Sequence, residues 1–218
     1  MDHQPFFTVI ITTYNRSALL PRALKSLVSQ TEKDWEAIIV DDGSTDNTYS
    51  HIKDWLNTGS GIIYLRKDHG GVVSAKNHGI KVANGKFITF LDSDDEYRPD
   101  HLEKRKEYLL QKPDTGFLHG GVQITGNQYV PDKNNPSVRI HLNDCEIGGT
   151  FVIEKTILLS LGGFRDIPLG ADNDLFERAV KSDTIMAEIN FPTYIYHHEN
   201  PDSITNMLYR KIQNKAQD

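Results

Sequence analysis

The sequence predicts an α/β fold with a mainly parallel central sheet flanked by helices. Two patterns and a composition predict it. The first hundred residues alternate short β-rich apolar runs with helical stripes, and a β-α-β-α-β-α-β order implies a parallel sheet with right-handed crossovers. Polar residues gather where the apolar runs end: Thr12, Thr13 and Tyr14, then Asp41 and Asp42, then Asp92 to Asp95. Ligands of such sheets bind at the carboxyl ends of the strands. The 218 residues are 38% hydrophobic and 25% charged, which is globular rather than disordered or fibrous composition.

Each element has its own signal. Residues 6–11 are apolar and β-rich, a first strand. Residues 17–30 set Leu19, Leu20, Ala23, Leu24, Leu27 and Val28 at helical spacing. Pro21 falls in the first turn, where proline is tolerated. Residues 35–40 predict a second strand, and Ser44, Thr45 or Asp46 caps a helix carrying Ile52, Trp55 and Leu56. A third strand is expected at 62–65, a helix at 72–83 closed by Asn84-Gly85, and a fourth strand at 87–91. Pro99 opens a charged helix reaching about residue 112. The second half is less regular. It predicts a strand at 115–124, a polar loop at 127–143, a strand at 148–153 and a short helix at 154–161 stopped by Gly162-Gly163. A helix at 172–181, a strand at 193–198 and a polar tail from Met207 follow. Trp35 and Trp55 read as core. Without an internal repeat or low-complexity linker, one domain over residues 1–218 is expected.

Composition excludes several functions. Thirty acidic against twenty-four basic side chains give a net charge of −6, unsuited to a nucleic-acid polymer. One cysteine, Cys145, forms no internal disulfide and no cysteine zinc cluster, and points to a reducing compartment. The first residues carry no basic and apolar leader pattern, and no apolar run approaches the roughly 20 residues that span a bilayer.

The chemistry lies at the strand ends. In Asp92-Ser93-Asp94, residues i and i+2 of an extended chain point the same way. Two carboxylates aimed together suit a hard divalent cation, Mn²⁺ or Mg²⁺. Capping aspartates before a helix would give the same string. Asp42 can accept from a base N–H or a sugar hydroxyl, or serve as a turn and cap with Gly43 and Ser44. There is no glycine-rich dinucleotide fingerprint after the first strand, no G-x-x-x-x-G-K-[ST], no H-E-x-x-H and no G-x-S-x-G. Phosphates would therefore be held by a metal and side chains.

Together these residues resemble a family. Val9-Ile10-Ile11-Thr12-Thr13-Tyr14-Asn15-Arg16, Val40-Asp41-Asp42-Gly43-Ser44-Thr45-Asp46 and Leu91-Asp92-Ser93-Asp94-Asp95 look like the family 2 glycosyltransferases of the Rossmann-like GT-A fold, in order and spacing. His69-Gly70-Gly71-Val72-Val73-Ser74-Ala75-Lys76-Asn77 resembles that family's glycine-rich entry to an A-R-N helix. The resemblance implies a nucleotide-sugar half over about residues 6–100, a smaller irregular acceptor-side half over 101–205 and a tail over 206–218. It implies an inverting transferase moving a sugar from a nucleotide-diphosphate sugar, most often a UDP-sugar, to a hydroxyl in polysaccharide or glycan assembly. Thr12, Tyr14 and Asp42 would meet the base, and Asp92 with Ser93 the ribose or metal-bound water. Asp94, with Asp92, would ligate Mn²⁺ or Mg²⁺ on the diphosphate. Lys76 stands where the family usually has arginine, as a diphosphate or base contact or as a solvated helix lysine. Ala171-Asp172 matches an acidic pair, so Asp172 is the expected general base, with a helix N-cap as its other reading. His198, rather than His197, is the expected further metal contact. Acceptors would be glycans or lipid-linked sugars, met in the cytoplasm or at the inner membrane surface. Two other readings stand beside this one: a non-catalytic nucleotide-sugar-binding subunit, and a phosphatase with Asp92 as nucleophile.

Overall fold

The computed structural model describes residues 4–56, 61–132, 135, 137–167, 169–199 and 207. The expected tail beyond 206 lies outside these, Met207 apart. In chain order the first half runs β1 (Phe7–Thr13), α1 (Leu20–Val28), β2 (Trp35–Asp41), α2 (Thr48–Leu56), β3 (Ile62–Arg66), α3 (Val72–Val82) and β4 (Phe87–Phe90). Then come β5 (Glu96–Tyr97), α4 (His101–Gln111), β6 (Phe117–His119), β7 (Val122–Gly126), β8 (Tyr129–Pro131) and β9 (Arg139–His141). The described chain closes with β10 (Val152–Glu154), α5 (Lys155–Ser160), α6 (Ala171–Val180), β11 (Met186–Glu188) and β12 (Tyr194–His198).

Seven strands form the main sheet in the order β11-β6-β10-β4-β1-β2-β3. β3, β2, β1 and β4 are mutually parallel, as the alternating first half predicts, and β10 is the antiparallel strand between β4 and β6. The sheet is buried on both faces, which explains why its strands read as near-continuous apolar runs. Phe7, Val9 and Ile11 pack with Ala37, Ile39, α1 and α4. Ile10, Ile38, Val40 and Phe90 pack on the other side with α3, α5 and α6. The period-two alternation of β1 and β2 thus divides the core into two clusters with the sheet between them. Trp35 and Trp55 pack on the first cluster, as expected.

The second half departs from expectation in identifiable ways. The single strand expected at 115–124 is two strands. Gly120 and Gly121 both take positive φ (89° and 78°) and turn the chain out of the main sheet, so β7 joins β12 and β5 in a second sheet. The fully buried Arg105 secures that break, donating to the Gly120 carbonyl (3.0 Å) and the Thr193 hydroxyl (2.8 Å). The expected polar loop at 127–143 contains the antiparallel hairpin β8–β9. The strand expected at 148–153 begins as a 3₁₀ turn over 148–150. β5 and β11 are too short to have a periodic signature, and both went unpredicted.

Asn84-Gly85 does not close α3 with a left-handed residue. The helix ends at Ala83 in extended conformation. Gly85 is needed for proximity: a Cβ there would stand 2.4 Å from the Thr8 backbone nitrogen. Its N–H donates to Thr8 Oγ1 (2.8 Å), which itself donates to buried Glu36 (2.6 Å). Gly85→Ala is therefore expected to cost about 2 kcal/mol by overpacking, read as a lowered urea midpoint at unchanged m-value. Wild-type stability in that variant would contradict the close approach of the α3–β4 turn to β1.

Candidate active site

The carboxyl ends of β1, β2 and β4 open into a cleft of about 720 Å³. Thr12, Tyr14, Asp42, Lys76, Asp92, Ser93, Asp94 and Asp172 all line it. The elements responsible are the ends of β1, β2 and β4, α3 and the start of α6. Of the expected site residues, only His198 is not part of this wall among the described residues. Strand alternation places Tyr196, two residues earlier, in the cleft. At the end of β12 the β7 turn covers His198, whose Nδ1 lies 2.6 Å from the Asn127 carbonyl and which is 2% exposed. His197 turns to the other side, with Nε2 2.8 Å from Glu96.

Asp42 is tied to the loop that opens α3. Its carboxylate accepts from Lys67 Nζ (2.6 Å), Gly70 N (3.0 Å) and Gly71 N (2.7 Å), and His69 Nδ1 lies 2.8 Å away. Gly71 is the N-cap of α3, so a carboxylate just past β2 anchors the start of that helix, where backbone N–H groups and the dipole favour an anion. Burial raises the Asp42 pKa, but the Lys67, Gly70 and Gly71 hydrogen bonds outweigh it and the net value lies below the ordinary range. The latch also sets out the aromatic edge of the cleft. Tyr14 stacks on His69, with ring centroids 4.1 Å apart and 24° between the planes.

The cleft floor is an ionic trio. Lys76, 6% exposed, reaches Asp172 Oδ1 (3.4 Å) and Asp92 Oδ1 (4.0 Å). It is not a solvated lysine. Its ammonium also lies over the rings of Phe164 (5.0 Å) and Phe90 (5.5 Å). Burial lowers the Lys76 pKa, but Asp172 and Asp92 raise it further, so the cation is held charged. Asp172 is not a helix cap. Gly170, at φ 82°, caps α6, and Asp172 sits in the first turn. Its carboxylate accepts from Lys76 and from the Gly148 N–H (3.3 Å).

Asp92 and Asp94 present the hard oxygen ligands that a divalent cation takes. Burial raises the Asp92 pKa, Lys76 opposes this, and the charges of Asp94 and Asp172 raise it again, leaving a net upward shift. Such an excess of hard anionic oxygens in one cleft suits Mg²⁺ or Mn²⁺. Among the described residues no three His, Cys, Asp or Glu side chains form a metal cluster. These ions keep waters and substrate phosphate oxygens in their shells, so two carboxylates suffice as the protein's share.

Sequence reasoning missed the support beneath the D-x-D turn. Asp95 is fully buried and accepts from Tyr194 Oη (2.6 Å) and His197 N (2.8 Å). Burial and the Asp92 and Asp94 charges push its carboxyl well up, against those two bonds. The burial alternation from Asp92 to Tyr97 turns Asp95 inward while Asp92 and Asp94 face the cleft. No local signal reveals a partner a hundred residues away. Lys67 and His69 were likewise invisible, because what makes them matter is a contact with Asp42.

Solved structures define the fold class. S. aureus TarS 1-349 in complex with UDP-GlcNAc superposes with a TM-score of 0.76 at 19% identity, over 91% of this chain and 60% of that one. The mannosyltransferase PcManGT from Pyrobaculum calidifontis, in complex with GDP-Man and Mn²⁺, superposes at 0.72 and 18% identity, over 100% of this chain and 66% of that one. The fold is the GT-A fold of glycosyltransferases. Residues 8–160 match glycosyl transferase family 2, and the chain belongs to that family. A relative is the Escherichia coli UDP-Glc:alpha-D-GlcNAc-diphosphoundecaprenol beta-1,3-glucosyltransferase WfgD, 31% identical over 157 residues, 69% of this chain and 61% of that protein. The chain thus spans about three fifths of that relative's length.

The Asp42 latch carries a pH signature. A depressed carboxylate pKa contributes stability that is full above the ordinary aspartate value and is lost as pH falls through the lowered one. Asp42→Asn is expected to be less stable than wild type by roughly 2 kcal/mol at pH 7. In denaturant melts across pH, the difference should begin to narrow at about pH 4 and close only as pH falls through the lowered Asp42 value. A pH-independent difference would show that the ionised form is not what holds the loop.

Proposed function

We propose that this family 2 domain is an inverting glycosyltransferase moving one sugar from a nucleotide-diphosphate sugar to an acceptor hydroxyl, with Asp172 as general base. The observation carrying this reading is the arrangement of the cleft. Strand-end acids suited to a divalent cation on a diphosphate and an acid from α6 face one space, with Lys76 between them. Asp172, oriented by Lys76 and Gly148 N–H, accepts the acceptor hydroxyl's proton. The hydroxyl oxygen attacks the anomeric carbon from the face opposite the diphosphate. The bond to the diphosphate breaks, and its electron pair leaves with the nucleoside diphosphate. Asp94 and Asp92 would hold Mn²⁺ or Mg²⁺, which supplies charge neutralisation for that leaving group. Thr12, Tyr14 and Ser93 line the same wall and would hold the nucleoside.

A UDP-sugar is the proposed donor. UDP-Glc in the name of the Escherichia coli relative and UDP-GlcNAc in the TarS complex support it, and GDP-Man in the PcManGT complex is the competing class. The acceptor is proposed to be a glycan or lipid-linked sugar, by likeness to that relative's diphosphoundecaprenol substrate. Such an enzyme would act in the cytoplasm, at the inner membrane surface for lipid-linked acceptors. No helix among the described residues is long and apolar enough to cross a membrane. Residues 1–218 are proposed as one domain with a donor half and an acceptor half.

Calorimetry with UDP and GDP, each with Mn²⁺ and with EDTA, tests the donor side. Metal-dependent UDP binding, lost in Asp94→Ala, is expected. No nucleotide binding with metal present would remove the donor assignment. On the acceptor side, Asp172→Asn should keep UDP binding while transfer from UDP-glucose or UDP-GlcNAc to alkyl glycosides falls by about 10²–10⁴. Unchanged transfer in Asp172→Asn would refute the base. Binding without transfer in the wild type would favour a non-catalytic subunit.

A further inference from the structure

Beyond Asp172, this side of the cleft holds three carboxylates to which the proposed reaction assigns no part, Asp132, Asp144 and Glu146, and Glu146 is the one set against a half-buried histidine. Glu146 lines the cleft. Its Oε2 lies 3.2 Å from His119 Nδ1, and the two side chains are 28% and 13% exposed. His119 is fixed in turn by α6, its ring edge-on to Phe176 with centroids 4.8 Å apart. The pair is thus anchored to the helix that begins with Ala171 and Asp172.

The backbone aims Glu146 toward Asp172. Ile147 is extended (φ −104°, ψ 109°), so Glu146 and Gly148 project to the same side. At Gly148 that direction is known: a Cβ there would lie 2.4–2.5 Å from the Asp172 carboxyl atoms. Two extended residues span about 6.6 Å. The backbone of Glu146 therefore lies about one such step from the residue that touches Asp172, a span on the order of one sugar ring with its hydroxyls. A carboxylate held on one side by a histidine is an acceptor-only group suited to a hydroxyl donor.

We propose that Glu146, positioned by His119, is an acceptor-recognition residue. It accepts a hydrogen bond from a hydroxyl adjacent to the one that Asp172 deprotonates, so the acceptor is a sugar bearing a vicinal diol. This rests on the reading of Asp172 as base.

The test uses octyl β-glucoside, octyl β-galactoside and the two N-acetylhexosaminide counterparts as acceptors with UDP-glucose, UDP-GlcNAc and Mn²⁺. The acceptor used best is then compared with its monodeoxy analogues. In the wild type, removing the hydroxyl next to the reacting one should lower kcat/KM roughly 10- to 100-fold. Glu146→Ala should lower kcat/KM on the parent acceptor by a similar factor, mostly through acceptor KM, and should no longer distinguish the deoxy analogue. UDP affinity by calorimetry should be unchanged, showing an intact fold and donor side. His119→Gln should weaken the discrimination without abolishing it. Full deoxy discrimination in Glu146→Ala, with Asp172→Asn inactive, overturns this proposal alone. Unchanged transfer in Asp172→Asn, or no transfer by the wild type to any acceptor, overturns the underlying reading and this proposal with it.

Discussion

One buried ammonium ties the two halves of this protein together. Lys76 belongs to α3, in the regular first half, yet its charge lies between Asp92 at the end of β4 and Asp172 on α6. A lysine that is 6% exposed loses most of its hydration, a cost of several kcal/mol unless it is repaid locally. Two carboxylates and two phenyl faces do this here. The carboxylates gain as well, since without Lys76 two half-buried acids would face each other across the cleft floor. Each member of the trio makes the burial of the others tolerable, and this fixes where α6 starts relative to the sheet.

Neighbouring residues reinforce the tie with directional bonds. Asn77 donates to the Phe164 carbonyl (2.8 Å) and accepts from the Phe164 N–H (3.0 Å), pairing its amide with a backbone segment of the second half. Consecutive helical positions thus do different work: Lys76 aligns charge and Asn77 aligns backbone. Beneath the D-x-D turn, Asp95 performs the complementary task. It joins the turn to β12 through Tyr194 and His197, so the second sheet props the turn that carries Asp92 and Asp94 into the cleft. Gly149 permits this packing, because a Cβ there would overlap the Tyr194 ring at 2.2 Å.

The first half was legible in the sequence because its signals are local. β1, β2 and β4 are buried on both faces and read as apolar runs, and α1 shows its stripe through Leu20, Ala23, Leu24 and Leu27. Strand ends follow from strand positions, so the sequence sets Thr12, Asp42, Asp92 and Asp94 at the carboxyl ends of the strands, where the cleft opens. The second half depends on contacts distant in sequence. β5 is two residues long, and β11 exists because β6 offers it an edge. The β6–β7 break needs Arg105 from α4 as well as its two glycines. For the same reason the sequence located Asp42 without revealing that α3 occupies its carboxylate. It named Lys76 without showing that the side chain turns inward.

The ionic trio also bears on whether the cleft is catalytic. Buried ion groups are poor devices for stability, and well-packed apolar side chains of similar volume generally do as well or better. Between Phe90 and Phe164 an apolar side chain at position 76 would pack without any desolvation cost. A chain needing only the fold would have no use for Asp92, Lys76 and Asp172 together. Their cost becomes intelligible if charge must be present, with Asp92 facing an anionic donor across a cation and Asp172 ready to take a proton. The lysine's compact charge, where the family resemblance leads one to expect an arginine fork, suits this geometry, because one ammonium reaches toward both acids from the helix face. The departure from the family pattern therefore does not by itself mark a degraded site. The same cation that secures α6 against the sheet holds the proposed base within reach of the acid at the end of β4.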